Sequence, residues 1–162
     1  MTPTPSERLK ELGLTLVPPP KPAGAYSHVV VDGNHVWVSG QIVLQNGKPV
    51  SPGLVDQDVP VDVAKELARR AALQALNALA GELGSIDRVR GILRVTVYVA
   101  SIPGFGRQPE VANGASELFI QVFGEAGRPA RAAVGVASLP FNVPVEVECL
   151  ARVDAVEAVK AA

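Results

Sequence analysis

The sequences DVAKELARRAALQALNALAGEL at residues 62–83 and ILRVTVYVA at residues 92–100 decide the fold class of this chain. In the first, Asp62 can cap the first turn of a helix, and Gly84, the next residue after this sequence, can end its last turn. The same sequence carries leucines at the spacing that lines one helix face: Leu76, Leu79 and Leu83. The second places apolar side chains in one phase of a predicted central strand: Leu93, Val95, Val97 and Val99. A long helix followed by a buried strand indicates an α+β domain.

Turn signals precede the helix. Asp32-Gly33-Asn34 lies between two valine-rich runs, and Asn46-Gly47 separates two further short apolar runs. The first sequence predicts a β-hairpin, because glycine can take the positive φ of a tight turn. The second predicts either another short hairpin or an extension of the second strand. Further upstream, a proline-rich sequence at residues 18–22 forbids helix. We therefore divide the chain into an N-terminal helix with a proline-rich lead-in, residues 1–22, and a main domain, residues 23–162.

The sequence after the central strand predicts a second helix and two more strands. The helix covers residues 109–123, with one apolar face. The strands cover residues 131–139 and 143–153, and we expect them to pair as a hairpin. The two helices must then pack on one face of the sheet, since each has only one apolar stripe. The alternating valines of the last strand predict an apolar open face that a second copy covers.

Composition excludes several classes of function. The 162 residues suit one domain, and 15 basic against 16 acidic residues give a net charge of -1 with no basic run, so we expect no nucleic-acid partner. Cys149 is the only cysteine, which excludes an intrachain disulfide and fits a reducing compartment. The single cysteine makes the cytoplasm the expected location. No uncharged apolar run reaches about 18 residues, so we expect no membrane span. His28 and His35 lack a third acidic ligand, so we expect no metal site.

Arg131 is the residue best suited to bind a ligand. It opens the predicted strand at residues 131–139, and the side chains that follow it are small: Ala132, Ala133, Val134 and Gly135. A guanidinium with free space beside it can bind a carboxylate through two parallel hydrogen bonds. From its position alone, an ordinary surface or salt-bridged arginine is the alternative.

Six short sequences resemble, in their order along the chain, those of the RidA family, also called YjgF or L-PSP endoribonuclease. The match spans about residues 23 to 153, and the N-terminal segment is similar to that of the longer-chain branch of the family. The six are Gly24-Ala25-Tyr26, Val38-Ser39-Gly40-Gln41, Asn113, Pro129-Ala130-Arg131, Leu139-Pro140 and Val145-Glu146-Val147-Glu148.

The resemblance implies a chorismate mutase-like fold with a mixed β-sheet, assembled as a homotrimer. The three sheets of such a trimer form a central barrel, and three clefts lie between subunits. The implied activity is hydrolysis of reactive enamine and imine intermediates, of the 2-aminoacrylate type, to 2-keto acids and ammonia. No metal or cofactor is implied.

The resemblance also assigns roles to individual residues. Arg131 would hold the substrate carboxylate, and Glu146 would position or activate the attacking water. The side chains and backbone that would line the cleft belong to Tyr26, Ser39, Gly40, Asn113 and Ala133. Each role has a structural alternative. Glu146 could lie on the solvent face of an edge strand, Ser39 could serve a turn, Tyr26 could be a packing aromatic, and Asn113 could be a surface amide.

The chain departs from the family pattern immediately after Arg131. The deaminases of the family have Ser and Cys after the arginine and, two positions later, Glu, where this chain has Ala132, Ala133 and Gly135. This departure keeps a second function open, which is binding of a small carboxylate such as a keto acid without turnover. RNA cleavage is less favoured, because no histidine pair is placed for acid and base. Cys149 lies in an apolar phase, so we expect a buried structural thiol.

Overall fold

A computed structural model describes residues 2–154. Its three helices are α1 (Pro5–Glu11), α2 (Val61–Leu83) and α3 (Gln108–Phe123). Its seven strands are β1 (Val29–Asp32), β2 (His35–Gln41), β3 (Leu44–Gln45), β4 (Lys48–Pro49), β5 (Val89–Ala100), β6 (Ala130–Val136) and β7 (Val145–Val153).

Five of the strands form one mixed sheet in the order β1-β2-β7-β5-β6. β5 and β6 are parallel, whereas the other neighbouring pairs are antiparallel. β3 and β4 form a separate hairpin. In this order β1 and β6 are the two edges of the sheet, and β7 and β5 lie in its interior.

Helices α2 and α3 cover one face of the sheet. α2 packs on β7 and β2, and α3 packs on β5 and β6, with a long contact between the helices. Gly114 allows that contact, because a Cβ at this position would strike the backbone oxygen of Lys65 in α2. The core between helices and sheet consists mainly of valine, alanine and leucine, with Phe119 its largest fully buried side chain. The predicted α+β class, mixed sheet and placement of both helices are confirmed.

The local patterns behind the helix and hairpin predictions are confirmed, with one exception. Gly84 ends α2 with a φ of 77°, and the three leucines of its predicted apolar face are buried. The first predicted hairpin forms, and Asn46-Gly47 turns a separate hairpin rather than extending β2, with positive φ at Gly33, Asn46 and Gly47. Asp62, however, does not cap α2, because the helix already begins at Val61 and Pro60 occupies the capping position. Asp62 therefore lies within the first turn, where its charge still favours the positive end of the helix dipole.

The predicted phase of β5 is wrong at one residue. Val95, Val97 and Val99 are fully buried as expected, but Ile92 is buried in place of Leu93, which is partly exposed. The pairing of β5 with β7 is irregular between Ile92 and Arg94, and this irregularity shifts the side-chain alternation by one residue.

The predicted C-terminal hairpin is also wrong. β6 and β7 lie on opposite sides of β5, because α3 carries the chain across to place β6 parallel to β5. The valines of β7 face the helices and are buried, so they do not create an apolar open face. The open face of β7 instead carries mainly polar side chains: Glu146, Glu148, Leu150 and Arg152.

The N-terminal segment is attached to the domain. Thr4 and Glu7 form a capping box on α1, and Ser6 donates its hydroxyl to Asp87 Oδ2 at 2.7 Å. Leu9 is buried, and the backbone N–H of Val17 donates to Asn77 Oδ1 at 2.9 Å. Within residues 2–154, no helix has the length and apolar character needed to cross a membrane.

Candidate functional site

Arg131 lies on the edge strand β6 and points toward α3. It is in register with Val95, whose side chain faces the helices. Its Nη1 donates to Asn113 Oδ1 at 2.7 Å and to Ser116 Oγ at 3.2 Å. Both acceptors are neutral, so the guanidinium is held in place while its charge stays uncompensated by them.

The surroundings of Arg131 differ from those of the paired arginines in the chain. Among residues 2–154, no carboxylate forms an ion pair with Arg131. Three other arginines do pair with a carboxylate: Arg90, Arg107 and Arg128. The alternative of a salt-bridged arginine therefore does not hold within the described part of the chain, and an exposed, oriented cation is available for an anionic ligand.

Helix α3 supplies both acceptors because Asn113 and Ser116 are three residues apart and share one face. Ser116 is buried and also contacts the carbonyl oxygen of Ala112 at 3.3 Å. Ser116 was not among the residues that the sequence assigns to the site. Its spacing from Asn113 was the available signal, but only the crossover of α3 onto β6 shows that this face meets Arg131.

Glu146 lies on the opposite, open face of the sheet. It is in register with Tyr98 on β5, and it belongs to the interior strand β7. The alternative of an edge strand is therefore wrong in the strand, although Glu146 does lie on the face away from the helices. Its side chain lies directly over Gly40, where a Cβ would come within 2.7 Å of Glu146 Cδ. The β2–β7 pairing is irregular between Val38 and Gln41, which brings Gly40 to this position. Position 40 therefore requires glycine, because the Glu146 side chain approaches its backbone too closely for a Cβ.

The environment of Glu146 favours its protonated form. Burial, and then the negative charge of Glu148 on the same face, raise the pKa of Glu146. Tyr98 donates its hydroxyl to Glu148 Oε1 at 3.0 Å, and burial together with this contact raises the pKa of Tyr98. A carboxyl with a raised pKa can accept and return a proton closer to neutral pH than an ordinary glutamate. Sequence analysis did not identify the contribution of Glu148.

Ser39 precedes Gly40 on β2 and contacts the segment that carries Tyr26. The Ser39 N–H donates to the His28 carbonyl at 2.9 Å, and Ser39 Oγ donates to the Ser27 carbonyl at 2.7 Å. Tyr26 is 49% exposed and meets the His28 ring edge to face, with ring centroids 5.8 Å apart. The Ser39 hydroxyl thus fixes the segment that carries Tyr26 beside the strand that carries Gly40.

The expected site residues, together with Ser116, fall into two groups in one chain. We call Asn113, Ser116, Arg131 and Ala133 the arginine group, and Tyr26, Ser39, Gly40 and Glu146 the glutamate group. β5 separates the strands that carry Arg131 and Glu146, and these two side chains point to opposite faces of the sheet. A single chain therefore does not bring the guanidinium and the carboxyl to one small ligand.

Cys149 is buried on the helix side of β7, as expected for a structural thiol. Burial raises its pKa to about 12, so it is not a thiolate near neutral pH. Within residues 2–154, no three His, Cys, Asp or Glu side chains are grouped so that they could hold a metal ion.

Known proteins are similar to this chain in sequence and fold along most of its length. The endoribonuclease L-PSP family model matches residues 18–153. Protein TCP17 of Trypanosoma cruzi is 40% identical over 147 residues, which are 90% of this chain and 92% of TCP17. The 2-iminobutanoate/2-iminopropanoate deaminase of Rattus norvegicus is 34% identical over 137 residues, covering 82% of each protein.

A crystal structure of a protein of unknown function from Agrobacterium tumefaciens is similar to this chain, with a TM-score of 0.83 and 41% sequence identity. The match covers 93% of this chain and 92% of that protein. The chain belongs to the endoribonuclease L-PSP family, which is the RidA/YjgF family indicated by its sequence.

Proposed function

We propose that this family member hydrolyses enamine and imine forms of small amino acids, of the 2-aminoacrylate type, to 2-keto acids and ammonia. The observation that carries the proposal is the orientation of Arg131 by Asn113 and Ser116, which leaves an exposed guanidinium for a substrate carboxylate. The similarity to a rat imine deaminase at 34% identity supports the same reaction.

The reaction needs few groups. Arg131 binds the carboxylate and fixes the imine carbon in place. An enamine first takes a proton from solvent at its methylene carbon and so becomes the imine. Glu146 then accepts a proton from water as the water oxygen bonds to the imine carbon. The C=N π electrons pass to the nitrogen, which takes a proton and gives a carbinolamine. When the C–N bond breaks, the carbonyl forms and ammonia leaves with the remaining protons. Water and protons supply all atoms required, so the proposal includes no cofactor.

The division of the site into two groups supports a homotrimer. A ligand held by Arg131 of one chain can meet Glu146 only if a second copy supplies the glutamate group. A closed ring of identical contacts then forms one complete cleft at each interface. We place this assembly in the cytoplasm, in agreement with the single buried Cys149.

Loss of the arginine tests the proposed reaction. A serine dehydratase releases 2-aminoacrylate, and the assay measures how fast the purified protein converts it to pyruvate and ammonia. Arg131→Ala should abolish the acceleration, because the carboxylate loses its charged partner. Arg128→Ala is the matched control, since Arg128 is an exposed arginine three residues away that pairs with Glu125. Equal acceleration by the native and Arg131→Ala proteins would disprove the assignment.

A second candidate function is binding of a small carboxylate without turnover. It is favoured by the face of β6 beyond Arg131, which carries only Ala133 and Gly135 where the deaminases of the family have Cys and Glu. Calorimetric titration with pyruvate and 2-ketobutyrate distinguishes the two functions. Saturable binding that requires Arg131, in a protein that does not accelerate loss of 2-aminoacrylate, would establish this second function.

A further inference from the structure

A cavity lies beyond the arginine group, at the end of β6. Arg131, Ala133 and Gly135 are in register with Val95, Val97 and Val99, so the three residues share the face of β6 that meets α3. After the arginine, this face offers only a methyl group and a hydrogen. The strand is an edge, so the face is open at its outer side.

Gln108, the first residue of α3, occupies the space that the missing side chain of Gly135 leaves. A Cβ at Gly135 would lie 2.8 Å from Gln108 Nε2 and 3.6 Å from Ser101 Oγ. Gln108 is half-buried, and its Nε2 donates to the Phe105 carbonyl at 2.6 Å. One amide hydrogen thus fixes the side chain, and the rest of the amide can contact a ligand.

The cavity beside Gln108 has a volume of about 310 Å³. It is mixed in character, with apolar side chains at Ile102, Phe105 and Val136 and polar ones at Ser101 and Gln108. None of its lining residues carries a charge. The cavity therefore suits an uncharged group that combines apolar surface with one hydrogen-bonding atom.

The distance between Arg131 and the Gln108 amide determines which ligand length fits. From Gly135 back to Arg131, four residues of extended strand span about 13 Å. From Gln108 to Asn113, five helical residues span about 7.5 Å along the axis. A carboxylate held at Arg131 and Asn113 therefore needs several further atoms before it reaches Gln108. A three-carbon ligand such as pyruvate ends well short of it.

We propose that the cavity at Gly135 and Gln108 binds the side chain of the substrate. The preferred substrates would be 2-imino acids with an uncharged, extended side chain of at least about four heavy atoms. This inference rests on the proposed function only in naming imino acids. The pairing of a carboxylate anchor with a neutral cavity applies equally to the 2-keto acid products, which are stable and can be tested by binding alone.

The test compares dissociation constants of three keto acids by calorimetry. Pyruvate is the short ligand. 4-Methylthio-2-oxobutanoate has a long, uncharged side chain, and 2-oxoglutarate has a long side chain that carries a charge. We expect the long uncharged ligand to bind at least about tenfold more tightly than either of the others, the discrimination typical of an apolar pocket that distinguishes a few methylenes.

Gly135→Leu should remove this preference, because the leucine side chain fills the cavity and displaces the Gln108 amide. The amide can move, since it is the end of a flexible side chain. Gly106→Leu is the matched control, since Gly106 is exposed and a Cβ there meets nothing within 4 Å. Gln108→Ala is a second test that adds no volume, and it should reduce the preference severalfold.

Equal affinities of the native protein for pyruvate and 4-methylthio-2-oxobutanoate would overturn the inference. So would a preference that survives in both Gly135→Leu and Gln108→Ala. If the native protein shows the preference but accelerates hydrolysis of no imine, the cavity assignment stands and the proposed deaminase reaction fails. If it hydrolyses short and long imines equally and binds their products equally, the reaction stands and the cavity assignment fails.

Discussion

Gly40→Ala should displace the carboxyl group of Glu146 and lower the reaction rate, with little effect on the stability of the fold. A Cβ at residue 40 would lie 2.7 Å from Glu146 Cδ and 3.1 Å from Glu146 Cγ. Glu146 Oε1 lies closer still to that Cβ, and carbon atoms in contact normally lie about 3.5–4.0 Å apart, so the carboxyl group must move by more than about 1 Å. A displacement of this size in a reacting group costs about 10²-fold in rate.

The fold should tolerate the same substitution. Gly40 does not have a positive φ, and the group that must move is the end of a side chain on the open face of the sheet. We expect Gly40→Ala to reduce kcat for 2-aminoacrylate hydrolysis about 10²-fold while costing no more than about 1 kcal/mol in the free energy of unfolding. Gly106→Ala, with nothing within 4 Å of its added Cβ, should change neither quantity.

Enzyme kinetics with both variants, together with urea denaturation, check this prediction. A folded Gly40→Ala protein with the native kcat would refute the reasoning, because the carboxyl of Glu146 would then have moved without consequence. Loss of activity that follows loss of folded protein would also refute it.

Three further predictions concern Glu148, Gly114 and Cys149. The charge of Glu148 raises the pKa of Glu146, and Glu146 must be ionised to act as a base. Glu148→Gln should therefore move the acidic limb of the pH–rate profile to lower pH. An unchanged limb would contradict this electrostatic coupling. Gly114→Ala should lower the free energy of unfolding by about 1–3 kcal/mol in urea denaturation, since its methyl group meets backbone of α2, and native stability would contradict the close helix contact. With a pKa of about 12, the Cys149 thiol should resist a disulfide reagent at pH 8 in the native protein and react at once after unfolding; rapid native reaction would show that it is accessible.

The sequence was sufficient for elements whose signals are local. The leucines and Gly84 of α2 and the turn glycines of the hairpins act within a few residues, and their structures follow from the pattern alone. Strand neighbours were not predictable in the same way. β6 and β7 follow each other in the chain, but β5 lies between them because the α3 crossover returns the chain parallel to β5.

The candidate site shows the same division. The ordered sequences around Arg131, Gly40 and Glu146 identified which residues to consider, but not which of them meet. The contacts of Arg131 with Ser116, and of Glu146 with Gly40, depend on a helix crossing and on an irregular strand pairing. Alternation could not place Leu93 for the same reason, since the irregularity in β5 leaves no mark in its apolar run.

A mixing experiment tests the central claim, that the arginine and glutamate groups of different copies form one site. Arg131→Ala and Glu146→Gln should each be inactive alone. When the two proteins are unfolded, mixed in equal amounts and refolded together, random assembly into a ring should give about one quarter of the sites both native groups, and so about one quarter of native activity. No recovery from a properly assembled mixture would contradict the claim, because it would show that both groups must come from one chain.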